Sequence, residues 1–363
     1  MDERKNLPSA SQWGRLSLCA GSFQLEQEAE RLGQVAHQDS ADAASGTAIH
    51  AWLAGEQAEL SETESTTASL LKERSQEQLE RIFQMREPKI KREQRFWMNP
   101  GGTPALSGQA DLIALYPEAF PRIAVVQDYK CGFSDPDPAE TNAQMKILAL
   151  LVGLNFPTVD EVVVQLISGP YGVTEGRYTV AQLGAVYDEV VAHLRVIASP
   201  DAPLNASPEA CRYCPAKLIC PEVRKIAVRA VKAAAIPLPK EPEKASRILD
   251  EAEILAGFVK ETKTYYAGLL TEDPEYSIPG YQMVPGNTVR EVTDWGQARE
   301  RLSQYLPIEQ LNAAADYRLG GLEKALGKKL GLKGAPLREK MNSILQGLYL
   351  ENQNASSLKR VKK

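Results

Sequence analysis

The chain is short of several things, and each shortage excludes something. It has five cysteines and three histidines in 363 residues. Five thiols in a chain this long, with no secretory signal, argue against a disulfide framework. No run of about eighteen apolar residues occurs, and the start MDERKNLPSA has no apolar stretch of the kind a signal peptide needs. Those absences predict a soluble, cytoplasmic protein, neither inserted in a membrane nor secreted. The net charge of -5 lacks the overall basicity that is the usual electrostatic footprint of a nucleic-acid binder. It leaves room for a local patch, Lys89, Lys91, Arg92 and Arg95, which reads equally as DNA contact or as a charged strand edge that blocks aggregation. There is no G-x-x-x-x-G-K-[ST] loop, so the chain itself supplies no nucleotide-driven unwinding. The length is enough for two domains and a sizeable core.

What is present centres on Leu106 to Cys131, LSGQADLIALYPEAFPRIAVVQDYKC. Two strands are predicted there. The first, Gly108 to Tyr116, carries Asp111; the second, Ile123 to Lys130, runs from a β-branched apolar start to the polar group Gln127-Asp128-Tyr129-Lys130. A turn on Pro117 and Pro121 lets them pair as a hairpin and brings Asp111 near Asp128. Strand alternation puts Asp128 and Lys130 on one face and Tyr129 on the other. Two adjacent carboxylates repel unless a cation sits between them, and oxygen ligands suit Mg²⁺ or Mn²⁺. A lysine beside such a metal orients or deprotonates a water, or stabilises charge on a phosphate under attack. Read alone, Asp111 is a turn residue and Asp128 with Lys130 an ordinary solvated pair at a strand end.

Cys211, Cys214 and Cys220 make C-x2-C-x5-C in CRYCPAKLICP, and Cys19 stands far upstream in SLCAGS. Three clustered thiols and one distant thiol supply four ligands to one centre, and closing so long a loop ties the ends of a domain together. The residues suit zinc or an iron–sulfur cluster, and spacing alone favours zinc. Cys131 reads as a structural thiol.

Around these motifs a helix through Glu56 carries Ile49, Trp52 and Leu53 as an apolar stripe with His50 beside it. A charged helix spans Leu70 to Met85 and an alternating strand Ile90 to Met98. A helix from Ala139 to Val152 holds Gln144 in its second turn. Strands Glu161 to Ser168 and Gly176 to Val180 and a helix Val180 to Ile197 lead to the cysteine segment. The prolines of IPLPKEPEK mark a linker. A long helix from Ala245 to Leu270 and a strand-turn module follow, and the Lys- and Arg-rich end SLKRVKK reads as disordered charge.

The sequence G-x-A-D, a hydrophobic strand into D-Y-K, and a following helix with Gln144 resemble the PD-(D/E)XK nucleases of the RecB type. That branch also has a histidine on an upstream helix, matched by His50 in S-G-T-A-I-H. Its members often place a tyrosine four residues after the glutamine, where this chain has Leu148. One cysteine before the core and three after it resemble the iron–sulfur clasp of RecB-type relatives, among them bacterial double-strand-break nucleases and CRISPR spacer-acquisition nucleases. The C-terminal third resembles bacteriophage proteins in which such a nuclease is followed by IPG-x-x-x-V-x-G, here Ile278 to Gly286, and L-E-K-x-L-G-K-K, here Leu322 to Lys329.

The resemblance implies an α/β, restriction-endonuclease-like core with a mixed central sheet flanked by helices, plus a mainly helical C-terminal extension. It implies a nuclease domain over 1–223, a linker over 224–243 and a C-terminal region over 244–363. Asp111 and Asp128 would bind one or two Mg or Mn ions, helped by the Tyr129 carbonyl and His50. Lys130 would position the attacking water, and Gln144 would contact the substrate backbone or the lysine. Cys19, Cys211, Cys214 and Cys220 would hold a [4Fe-4S] cluster. The implied activity is a DNA exonuclease of phage recombination, repair or replication in the host bacterial cytoplasm. The implied partners are DNA, a single-strand annealing or single-strand-binding protein, and further copies of the chain. The alternative is a catalytically silent, metal-clasped DNA-binding or scaffolding protein.

Overall fold

The computed structural model describes residues 6–35, 41–84, 86–116, 121–132, 136–169, 171–233, 239–284, 288–292, 294–307, 311, 319–333, 335–353 and 357–360. The chain divides into two units, Met1–Tyr265 and Tyr266–Lys363.

In the first unit, helices α1 (Trp13–Leu18), α2 (Ser22–Arg31), α3 (Ala41–Ala54) and α4 (Glu62–Phe83) precede strands β1 (Lys89–Met98), β2 (Leu106–Leu115) and β3 (Ile123–Lys130). Helix α5 (Ala143–Asn155) is followed by β4 (Glu161–Ser168), β5 (Gly172–Thr179) and α6 (Val180–Ile197). The five strands form one sheet in the order β1-β2-β3-β4-β5. All pairs are antiparallel except β3 and β4, which run parallel. A parallel pair needs a crossover, and α5 supplies it. This is the α/β architecture with a mixed central sheet flanked by helices that the resemblance implies.

Two apolar layers cover the sheet. Ala124 and Val126 of β3 and Val162, Val164 and Leu166 of β4 face a layer built on α5 and α6. Their neighbours Val125, Tyr129, Val163 and Ile167 face the α3 and α4 layer with Ile49, Leu53, Leu71 and Leu79. That alternation explains why β3 and β4 read as continuous apolar runs: both faces are covered. Helix α5, AQMKILALLVGLN, is apolar all round because it is enclosed, with Met145 and Ile147 through Val152 all buried. It lies close on β2, where a Cβ on Gly108 would stand 2.6 Å from Leu151 Cδ1 and 3.1 Å from Leu148 Cδ2.

Several boundaries differ from the sequence expectation. Helix α5 begins at Ala143, not Ala139, because the Thr141 and Asn142 amides turn back to the Pro138 carbonyl and Asn142 caps the helix by accepting from the Met145 amide. Gln144 therefore sits in the first turn. Helix α4 starts at Glu62, after the N-cap Ser61, whose side chain and Glu64 exchange hydrogen bonds in a capping box. Pro117, expected in the β2–β3 turn, lies outside the described residues. After α6 come α7 (Pro208–Arg212), α8 (Pro221–Ala233) and α9 (Pro242–Glu272). The division between the units falls inside α9. Its first half belongs with the cysteine segment, Ile254 packing with Cys211, Cys220, Val223 and Ile226. Residues 236–238 of the proline-marked linker lie outside the described residues.

The second unit holds helices α10 (Trp295–Ser303), α11 (Leu319–Leu330) and α12 (Ala335–Ile344) around a leucine-rich core. It also holds two antiparallel strand pairs, β6 (Tyr281–Val284) with β9 (Ser357–Arg360) and β7 (Thr288–Val292) with β8 (Tyr349–Gln353). The end of the chain thus departs from the expectation of disordered charge: Ser357–Arg360 is a paired strand, and 361–363 lie outside the described residues. No described helix is long and apolar enough to cross a membrane.

Candidate active site

The sheet carries an irregularity at one rung, and the site is built on it. On β2, Leu106 and Ala110 face the α5 layer, yet Leu112 and Ala114 face the α3–α4 layer and Ile113 returns to α5. The period of two slips by one residue at Asp111. On β1 the partners are regular on either side, Arg92 with Leu112 and Gln94 with Ala110, so Glu93 stands opposite Asp111. Glu93 has φ 48°, the left-handed region that a residue with a Cβ rarely enters. Backbone of this kind tends to collect where a side chain must be aimed.

Asp111 Oδ2 accepts a 2.6 Å hydrogen bond from the Tyr129 amide, so the side chain takes the place of a ladder partner just where the β2–β3 pairing ends at Leu112 and Gln127. Its other oxygen is 3.4 Å from His50 Nδ1 on α3. Among the described residues, His50, Glu93 and Asp111 each offer one ligand atom within 4.8 Å of the others. Glu93 is held by Gln109, whose Nε2 donates to Glu93 Oε2 at 2.6 Å, and Gln109 is held in turn by Arg95 at 2.7 Å.

Asp128 and Lys130 share the α5 face of β3, as alternation predicts. Asp128 is buried, 3% exposed. Gln144 ties the pair together: its Nε2 donates to Asp128 Oδ1 at 2.6 Å, and its Oε1 accepts from Lys130 Nζ at 3.0 Å. Lys130 Nζ lies 2.7 Å from Asp128 Oδ2, an ion pair whose angle is too poor for an aligned hydrogen bond. The three side chains form a closed loop.

The electrostatics express one demand. Burial pushes the Asp128 carboxyl up, with Asp111 adding to it against the opposing pull of Lys130. Burial also raises Glu93, again with Asp111 adding. Burial lowers the His50 imidazole, but hydrogen bonds with Asp111 and Cys131 and their charges outweigh it and raise the pKa to about 11. Carboxylates this close draw in positive charge, as protons or as a cation. The oxygen-and-imidazole donor set fits a divalent ion.

On the opposite face of β3, a buried polar chain anchors the strand. Ser75 of α4 donates to Gln127 Oε1 at 2.6 Å and lies 3.2 Å from the Tyr129 hydroxyl. Gln127 donates to Gln165 at 2.9 Å, and Gln165 to Glu175 at 2.9 Å. Glu175 is closed off by Arg81 and Arg177.

The four expected cysteines, Cys19, Cys211, Cys214 and Cys220, all line one small cavity together with Lys217 and Val223. None is in a disulfide. The Asn205 amide donates to Cys19 Sγ at 3.2 Å. Burial, with the neighbouring thiols, raises Cys211 to about 11, and burial pushes Cys214 and Cys220 up. Lys217, itself buried, pairs with Glu261 of α9 at 3.2 Å and donates to the Arg212 carbonyl at 3.0 Å.

Sequence reasoning missed Glu93. It sits in KREQRF among cations and read as part of a basic edge; only its position opposite Asp111 marks it. Of the basic group proposed for DNA, Lys89, Lys91 and Arg92 are exposed. Arg95 is half-buried and committed to Gln109, so it leaves that patch. Leu148 is fully buried against β2 and the helical layer. In this chain that position is core, with no substrate-facing surface.

A family model described as "Protein of unknown function (DUF2800)" matches residues 6–359. No curated protein matches the chain. Among solved structures it is similar to SSO0001, at 16% identity and a TM-score of 0.33 over 61% of this chain and 88% of that one. It is also similar to a Eubacterium rectale protein named "Putative exonuclease", at 11% identity and a TM-score of 0.31 over 53% of this chain and 82% of that one.

Proposed function

Taking as premise that the chain belongs to the DUF2800 family, we propose that it is a divalent-metal-dependent deoxyribonuclease of the PD-(D/E)XK, RecB-like type, acting as an exonuclease. The observation that carries the reading is the closed Asp128–Gln144–Lys130 loop beside the His50–Glu93–Asp111 group, since three convergent carboxylates with one imidazole and one amine suit phosphodiester hydrolysis. Asp111, Asp128, His50 and the Tyr129 carbonyl hold one or two Mg or Mn ions. A divalent cation bound there supplies offsetting charge for the scissile phosphate and the leaving oxygen. Lys130 positions the attacking water, whose oxygen forms the new bond to phosphorus as the ester oxygen departs. Gln144 keeps Lys130 and Asp128 aligned, and the polar chain through Ser75 and Gln127 keeps β3 from rotating.

Cys19, Cys211, Cys214 and Cys220 hold a [4Fe-4S] cluster in a structural role. The four thiols line one cavity. What supports a cluster over zinc is the likeness of one cysteine before the core and three after it to the iron–sulfur clasp of RecB-type relatives. Hydrolysis needs no redox step, and the centre ties Cys19 to the segment that closes the core. The motifs shared with bacteriophage proteins support a place in phage DNA recombination, repair or replication beside a single-strand annealing or single-strand-binding protein.

The test is cleavage of end-labelled linear and closed circular DNA by anaerobically purified protein with Mg²⁺ or Mn²⁺. Loss of linear DNA that Asp128→Ala and Lys130→Ala both abolish, with circles spared, supports the reading. No cleavage of any DNA form by metal-loaded protein refutes it in favour of a silent DNA-binding scaffold. Visible absorption near the blue end separates the cluster from colourless zinc.

A further inference from the structure

The two units carry opposite charge. Residues 1–265 hold 28 Lys and Arg against 36 Asp and Glu, a net of -8, while residues 266–363 hold 14 against 11, a net of +3. Within the second unit the excess is concentrated: from Lys324 to Lys340 there are six basic residues and one acid, Glu339. That stretch is the helical pair α11 and α12. The two helices meet closely, since a Cβ on Gly327 would stand 2.8 Å from Leu337 Cδ2, and Gly331, at φ +66°, turns the chain between them. Leu322, Leu326, Met341, Ile344 and Leu345 bury the inner side. Lys328, Lys329, Lys333 and Arg338 are exposed.

Local structure accounts for only part of this charge. Lys328 and Lys329 lie in the last turn of α11, where cations complement the helix dipole. Lys333 and Arg338 flank and enter the first turn of α12, where the dipole is positive and cations are unfavourable. Among the described residues, no carboxylate pairs with any of the four. Lys225, Arg229 and Lys244, by contrast, each pair with a glutamate. Four cations without a carboxylate partner gathered at a helical turn, two of them against the local field, are matched by a polyanion.

We propose that the α11–α12 pair is a phosphate-backbone binding surface for DNA, with Lys328, Lys329, Lys333 and Arg338 as its contacts. The choice of DNA as the polyanion rests on the nuclease reading; the surface itself does not. No pattern of base-reading side chains accompanies it, so the binding is independent of sequence and falls steeply with salt.

The test is fluorescence anisotropy of labelled duplex and single-stranded DNA with the full chain carrying Asp128→Ala, across a salt series. Replacing all four cations with glutamine is expected to weaken binding at least about tenfold and to lower the slope of log K against log salt by roughly three to four, at about 0.9 per phosphate contact. Arginine in place of the three lysines is expected to restore both, and Lys225→Gln with Arg229→Gln and Lys244→Gln is expected to change neither. The proposal is overturned if the fourfold variant keeps its affinity and slope while its melting temperature falls, since the residues then serve only the helix ends. It is also overturned if the charge-paired control loses as much, or if the unsubstituted surface binds phosphatidylserine vesicles and no DNA. Salt-dependent binding by the surface with no cleavage by the metal-loaded chain that retains Asp128 refutes the nuclease reading alone, and cleavage by that chain with binding unchanged in the fourfold variant refutes this proposal alone.

Discussion

Lys217 and Glu261 should respond very differently to single and double substitution. Lys217 lies inside the cysteine segment and Glu261 on α9, with side chains 4% and 9% exposed and 3.2 Å between charged atoms. Glu261→Leu leaves the Lys217 ammonium buried with the Arg212 carbonyl as its remaining hydrogen-bond acceptor among the described contacts. Stranding one member of a buried pair costs about 3–5 kcal/mol. For a unit of this size that is on the order of 10 °C in melting temperature. Lys217→Met should cost a similar amount. The double variant Lys217→Met/Glu261→Leu, which removes both charges and keeps apolar bulk, should recover most of the loss, giving a coupling energy of about 5–8 kcal/mol. Because Lys217 lines the cysteine cavity, the single variants should also speed alkylation of Cys211 and Cys214 in the folded protein. Calorimetry and timed alkylation with mass spectrometry read the two effects. Strict additivity of the single losses, with unchanged alkylation rates, would refute the claim that this pair seals the cysteine segment against α9.

Other outcomes follow from the same geometry. Glu93→Gln should weaken Mn²⁺ binding, read by electron paramagnetic resonance, about 10- to 100-fold, while Glu77→Gln on exposed α4 surface leaves it unchanged. Gly176→Ala should destabilise by roughly 1–3 kcal/mol, because its Cβ would meet Glu140 Cα at 2.8 Å. Gly184→Ala, in the exposed interior of α6 with nothing within 4 Å, should stabilise by about 0.5–1 kcal/mol in denaturant unfolding. Ser61→Ala should cost about 1 kcal/mol through the α4 cap.

Much of the core was legible because local signals and burial agreed. The strands Ile123–Lys130 and Glu161–Ser168 and helix Val180–Ile197 match the sequence expectation residue for residue, since each is bounded by a sharp change of periodicity or by a cap. The start of α5 was not, because its polar approach, Ala139 to Asn142, satisfies the same helix-forming pattern until Asn142 caps it. The hairpin that gathers Asp111 and Asp128 could be read from two strands and a turn. Glu93 could not, since cross-strand opposition depends on register, and register is fixed by the packing of both layers. Leu148 shows the converse: a family position expected to meet substrate is here claimed by the close approach of α5 to Gly108. The pairing of Ser357–Arg360 with β6 was hidden because four residues with a single apolar member, Leu358, are too few to carry a periodicity, and only a distant strand gives them an edge.

The slip at Asp111 also says how such a site is compatible with a stable sheet. Struck out of the sequence, Asp111 would leave Ala110, Leu112, Ile113 and Ala114 alternating between the two layers without interruption. Glu93, its opposite number, is likewise the one rung that the pairing of β1 steps over. The two carboxylates are therefore a supernumerary rung in an otherwise regular ladder. Neither hydrophobic layer depends on them, and beyond the hydrogen bond from the Tyr129 amide to Asp111 a chain shortened by that single rung would be expected to keep its architecture and lose the His50–Glu93–Asp111 group.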